Sequence, residues 1–219
     1  MVETARQHGQ LGGLQCTWRM SPAAAAPLVI LLHGLSGDDE VMWGLEPVIP
    51  RLAYAVSPRA PFAFAGGGFS WVDPSEGPDA PLRAYADAVR RLVSLVEASR
   101  EKAGDRSLVV MGFSQGAAVA LASVALRRLA PSAIVAMAGL LPPGGLPSWP
   151  GVPVFWGHGL RDELVPIERA RRDAARLEGA GAAVTFCEAQ VGHKLGAECL
   201  KGVRRWLAEL GLDERPSQA

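Results

Sequence analysis

Six short apolar runs, separated by longer segments of which several have helical periodicity, set the tightest limit on how this 219-residue chain can fold. The runs lie at 28–32, 54–57, 108–111, 133–137, 152–156 and 184–187. Most are apolar without alternation, the pattern of strands covered on both faces. Between two of them, Leu82, Tyr85, Val89, Leu92, Val93 and Val96 recur at helical spacing, with Arg83, Asp87, Arg90 and Arg91 on the opposite side. Leu195, Cys199, Val203, Trp206 and Leu210 form a second stripe, and residues 116–128 are Ala-rich and apolar on most sides. Strands alternating with helices imply an α/β fold, a mostly parallel central sheet with helices on both faces. Residues 14–20 can add an antiparallel edge strand. The length suits one domain spanning residues 1–219, with 213–219 as a solvated tail.

Composition removes several classes of function. Lys plus Arg and Asp plus Glu both number 22, so the formal net charge is zero. With no basic stripe above that average, nucleic acid is not an expected partner. Cys16, Cys187 and Cys199 are odd in number and lack CxxC spacing. They read as small apolar residues in a reducing compartment, not as a disulfide framework or a zinc site. The N-terminal 13 residues are polar, and the run 23–32 is too short to cross a bilayer. The expectation is a cytoplasmic protein without stable membrane insertion, monomeric or homodimeric. No P-loop or cluster of His, Cys and acidic residues suggests a cofactor or metal.

In an open parallel sheet, chemistry collects at the C-terminal ends of the strands. Gly112-Phe113-Ser114-Gln115-Gly116 stands there, between the run 108–111 and the helix expected at 115–128. By composition alone, 13 serines and 25 glycines would produce a G-x-S-x-G about 0.2 times per chain. Its placement carries more weight than its occurrence. A strand-to-helix turn this tight strains the serine backbone and leaves no room for Cβ atoms two residues to either side. The turn would raise Ser114 Oγ beside a helix N-terminus, where dipole and free N–H groups favour developing negative charge.

Serine needs an adjacent base, and only four histidines are available. His8 falls in an N-terminus expected to be loose. His33 and His158 sit in Gly-flanked turns and read as hydrogen-bonded loop-shaping residues. His193 follows the last run and precedes the last helix, which completes the chain order Ser…Asp…His. Asp162 follows the run 152–156 through a Gly-rich turn and is the candidate orienting acid, with Glu163 adjacent. Asp173, within a helical pattern, reads as solvated. For the charge that develops on a substrate carbonyl, the expected donors are the backbone N–H groups of Gln115 and Leu35, with Ser36 a weaker option. Residues 59–81 are too long for an ordinary loop and carry Phe62, Phe64, Phe69 and Trp71. They are expected to border a substrate pocket, with Trp71 as a wall and Met42, Leu140 and Leu164 adding apolar surface.

These residues together resemble the phospholipase/carboxylesterase family of α/β-hydrolases. The resemblance rests on residues 31–38 (LLHGLSGD), 112–116 (GFSQG), Gly157-His158-Gly159 leading to Asp162 and Val165-Pro166, Gly192-His193, and Phe69-Ser70-Trp71. It spans roughly residues 28–210. It implies an α/β-hydrolase fold with little or no helical lid and a cofactor-free carboxylesterase acting on short- to medium-chain esters. Carried over by position, Ser114, Asp162 and His193 form the triad and Leu35 and Gln115 the oxyanion hole. The same residues would equally serve an acyl-protein thioesterase or a lysophospholipase. Lys194 departs from the family, whose members usually carry a small polar residue after the histidine. A catalytically dead hydrolase fold kept for binding is the contrasting class, and all three triad positions are chemically competent.

Overall fold

The structure, a computed structural model, describes residues 5–21, 23 and 25–213. Its strands are β1 (Gln7–Leu11), β2 (Leu14–Arg19), β3 (Leu28–Leu32), β4 (Tyr54–Pro58), β5 (Phe62–Ala63), β6 (Phe69–Ser70), β7 (Leu108–Phe113), β8 (Ala133–Met137), β9 (Val154–Gly159) and β10 (Val184–Ala189). The α-helices are α1 (Ala86–Ala103), α2 (Gln115–Ala125), α3 (Ile167–Gly179) and α4 (Ala197–Glu209). Eight strands form one sheet in the order β1-β2-β4-β3-β7-β8-β9-β10, parallel from β4 to β10 and antiparallel at β1-β2-β4. This is the α/β-hydrolase fold.

Alternation of side chains along each strand divides the core in two. Leu28, Ile30 and Leu32 of β3 join Val110, Ile134, Val154 and Trp156 in a cluster with α1, α2 and α3. Val29 and Leu31 join Val109, Met111, Val135 and Phe155 in a second cluster with α4 and the 3-10 turn Val41–Val48. Both faces of the central strands are therefore dry, which is why their sequences are continuously apolar. The Ala-rich helix α2 is buried on nearly every side and packs on β7 and β8.

Several expectations require correction. Residues 14–19 form β2 in the interior of the sheet, because His8 and its neighbours form the true edge strand β1. Gly12 and Gly13 both adopt positive φ, 55° and 79°, the geometry that closes a two-residue hairpin. Strand β9 runs on through Gly157-His158-Gly159, so His158 is a buried strand residue and not part of a turn. Those glycines permit close approach: a Cβ on Gly157 would lie 2.2 Å from Leu195 Cδ1, and one on Gly159 2.1 Å from the Gly192 carbonyl oxygen. Cys187 and Cys199 form a disulfide between β10 and α4, and only Cys16 is free, so the cysteine argument for a reducing compartment falls. Asp173 is buried and accepts the Leu141 N–H at 3.0 Å, fastening the segment after β8 to α3. Residues 59–81 are partly ordered by the β5–β6 hairpin. The expected tail lies, from residue 214 onward, outside the described residues. No helix among those described is long and apolar enough to cross a membrane.

Candidate active site

Ser114 stands between β7 and α2 with φ 52° and ψ −115°, a region costly for a residue with a Cβ. The flanking glycines make the turn possible. A Cβ on Gly112 would meet the Gly116 carbonyl group at 2.4 Å, and one on Gly116 would meet the Leu32 oxygen at 2.1 Å. The Ser114 N–H donates to the Met137 oxygen at 2.8 Å, which ties the strained turn to the end of β8. Ser114 Oγ lies 2.9 Å from His193 Nε2, and His193 Nδ1 lies 2.8 Å from Asp162 Oδ2.

The surroundings fix which nitrogen carries the proton. Asp162 is buried, and its Oδ1 accepts the N–H groups of Leu164 (3.0 Å) and Val165 (2.9 Å). Oδ2 is then left for His193, whose Nδ1 must donate, so Nε2 is free to accept the serine proton. His158 Nε2 stands 3.3 Å from the same Oδ2 and donates to the Val165 oxygen at 2.8 Å. Burial holds the His158 pKa below its ordinary value, so the ring is neutral and its one N–H, on Nε2, goes to the Val165 oxygen and not to Asp162. Phe113 packs edge-on to the His193 ring at 5.1 Å. The three sequence candidates therefore converge, one each from the ends of β7, β9 and β10.

The loop after β3 approaches Ser114 closely. A Cβ on Gly34 would lie 3.0 Å from Phe113 Cδ1 and 3.3 Å from Ser114 Cβ. His33 is completely buried; its Nε2 accepts the Ala60 N–H at 3.0 Å, so its Nδ1 donates to the Gly34 oxygen at 2.6 Å. Burial lowers the His33 pKa and keeps the ring neutral. The Gly37 N–H also donates to the Gly34 oxygen, at 3.1 Å. With that carbonyl held on one side, the trans peptide aims the Leu35 N–H the opposite way. Among the described residues, neither the Leu35 nor the Gln115 N–H has a protein acceptor. Ser36 does not share this freedom, because its N–H donates to the Phe69 oxygen at 3.0 Å.

Other candidates are placed differently. Trp71 and Met42 are core residues, 1% and 4% exposed, and so cannot wall an open pocket. The Trp71 indole N–H donates to the His33 oxygen at 2.8 Å, beneath the site. Leu140 is buried, whereas Leu164 is 74% exposed beside Asp162, and Leu35 is 44% exposed. Sequence reasoning missed the second histidine on Asp162 and the Gln115 side chain, which contacts Ser70 and Trp71. The i, i+4 spacing of His158 and Asp162 was the available signal for the former. Possible metal-ligand atoms of His8, Asp39 and Glu40 gather within 4.8 Å of one another. There Arg59 already pairs with Asp39 and Arg6 with Glu40.

Residues 20–210 match the family model described as Phospholipase/Carboxylesterase. The chain belongs to this family. It is accordingly a hydrolase of the α/β type. A probable carboxylesterase of Oryza sativa subsp. japonica is 27% identical, covering 89% of this chain and 84% of that protein. Acyl-protein thioesterase 1 of Saccharomyces cerevisiae is 29% identical over 72% of this chain and 78% of its own length. A solved carboxylesterase from Mesorhizobium loti superposes with a TM-score of 0.79 at 18% identity, covering 93% of this chain and 98% of that one, and so shows the shared fold.

Proposed function

We propose that this protein is a serine carboxylesterase that hydrolyses short- to medium-chain carboxylic esters through an acyl-enzyme. One observation carries the reading: Ser114 Oγ, His193 and Asp162 lie in a continuous hydrogen-bonded line of 2.9 and 2.8 Å. Ser114 Oγ attacks the ester carbonyl while His193 Nε2 takes its proton. Charge on the carbonyl oxygen is met by the Leu35 and Gln115 N–H groups, which are preorganised and otherwise unused. Asp162 stabilises the imidazolium, which then protonates the departing alcohol. Water enters by the same route in reverse, activated by His193, and releases the acid. None of these steps calls on a metal or cofactor. The exposed side chains of Leu35 and Leu164, on the loops carrying one oxyanion donor and Asp162, offer apolar surface to a small ester.

Ser114→Ala tests the proposal. Turnover of p-nitrophenyl butyrate should fall by at least about 10³-fold with the fold intact, and wild-type turnover would refute a serine mechanism. The likeness to the yeast acyl-protein thioesterase supports a second reading, thioester hydrolysis by the same residues. A panel of ester and thioester substrates of increasing acyl length separates the two. Preference for long-chain acyl thioesters favours the second.

A further inference from the structure

The residue after Ser114 supplies a backbone donor to the site, but its side chain turns elsewhere. Gln115 Oε1 accepts the Trp71 N–H at 2.8 Å, and Nε2 donates to Ser70 Oγ at 3.1 Å. Ser70 Oγ in turn donates to the Val72 oxygen at 2.6 Å. Both ends of the amide are thus engaged by one short segment, and the donor–acceptor pattern permits only one orientation of the amide.

That segment also holds the loop carrying the second donor. The Phe69 oxygen accepts the Ser36 N–H and the Phe69 N–H donates to the Gly37 oxygen, both at 3.0 Å. Two residues on, the Trp71 indole donates to the His33 oxygen. Leu35 lies between these attachments, so both flanks of its peptide are tied to residues 69–71. Gly68, at φ 69°, brings the chain so near that a Cβ there would lie 2.0 Å from the Ser36 oxygen.

We propose that the Gln115 side chain is a positioning residue for the oxyanion hole. It fastens residues 70–71 to the start of α2, so that the Leu35 and Gln115 N–H groups are held in register with each other. The proposal rests on Ser114 being the nucleophile. Preorganised donors lose much of their effect when displaced by a fraction of an ångström. Without the amide, β5 pairing and Trp71 burial still retain the segment, but its distance to α2 is no longer fixed.

The experiment replaces Gln115 by Ala and by Met; both keep the backbone N–H, and Met keeps most of the side-chain length. With p-nitrophenyl butyrate, kcat should fall about 10- to 100-fold in both while KM changes less than about threefold. Affinity for an alkylboronic acid, whose serine adduct places an oxygen in the hole, should fall by a comparable factor. Trp71→Phe, which removes the indole donor and some buried volume but leaves the Trp71 backbone N–H on Gln115, should lower kcat by a smaller factor. In combination with Gln115→Ala it should cost less than the product of the two single losses. Melting temperature and the circular-dichroism spectrum report the folded fraction. Unchanged kcat per folded site, or equal losses in substrate and boronate binding with kcat preserved, overturns the positioning role. Ser114→Ala is assayed alongside: activity retained there overturns the serine reading itself, whereas activity lost there with indifferent Gln115 variants overturns only the role of the amide.

Discussion

Asp162→Asn is the substitution whose consequence follows most directly from the hydrogen-bond pattern. The two oxygens of Asp162 are not equivalent. Oδ1 accepts two backbone N–H groups, from Leu164 and Val165, and Oδ2 faces His193 Nδ1 and His158 Nε2. An asparagine must keep its only oxygen on the two backbone donors, since turning its NH2 toward them would orphan both backbone N–H groups in a buried site. The NH2 then occupies the place of Oδ2 and confronts His193 Nδ1 with a donor. His193 can satisfy it only by moving its own proton to Nε2, the atom that must accept from Ser114. The substitution therefore leaves the shape intact and installs the wrong tautomer, a change worth about 10⁴ in kcat, or about 5.5 kcal/mol of transition-state stabilisation. The assay is kcat for p-nitrophenyl butyrate near neutral pH, with the His193 ring ¹⁵N shifts read by NMR. Retention of more than a tenth of wild-type kcat, or an unchanged Nδ1–H tautomer, would refute the reasoning.

The Cys187–Cys199 disulfide closes a 12-residue separation that includes His193. Loop-closure entropy gives it about 3 kcal/mol, so reduction, or replacement of both cysteines by alanine, should lower Tm by roughly 6–12 °C for a chain of this size. A shift below about 2 °C in a thermal melt contradicts this. The two buried histidines make stability depend on pH. His33 and His158 titrate below their ordinary value in the folded state, so between that value, near 6.5, and their folded pKa only the unfolded chain takes up protons. Stability is full above about pH 6.5 and falls as pH drops below it, by at most about 1.4 kcal/mol per pH unit for each histidine. Urea midpoints at pH 7.5 and 5.5 measure this. In His33→Gln the fall should be smaller, and an equal fall removes His33 from the account.

What could be read from the residues alone divides along physical lines. Strands β3 and β8 are legible to the residue because burial on both faces demands uninterrupted apolar character. The triad candidates are legible because Gly112 and Gly116 mark a turn with no space for side chains and because few histidines compete. Strand β1 is not legible: its sequence QHGQL is polar, since an edge strand open to water needs no apolar face. His158 reads as part of a turn because glycine has two uses, conformational freedom and close approach, and sequence does not distinguish them. Trp71 reads as a pocket wall and is instead a buried post beneath His33; aromatic character predicts burial but not on which side of a loop. The disulfide depends on β10 and α4 being neighbours, and no spacing rule encodes that contact.

The three candidate catalytic side chains sit at the ends of three different strands, and Ser114 is separated from His193 by 79 positions. During synthesis the serine therefore exists for several seconds before its histidine is made, at about 5–20 residues per second. Throughout that interval it is an ordinary alcohol. The hydrogen bond between His193 and Ser114 requires β10 and α4 to be in place, so a chain made only as far as residue 192 holds the serine without its partner histidine.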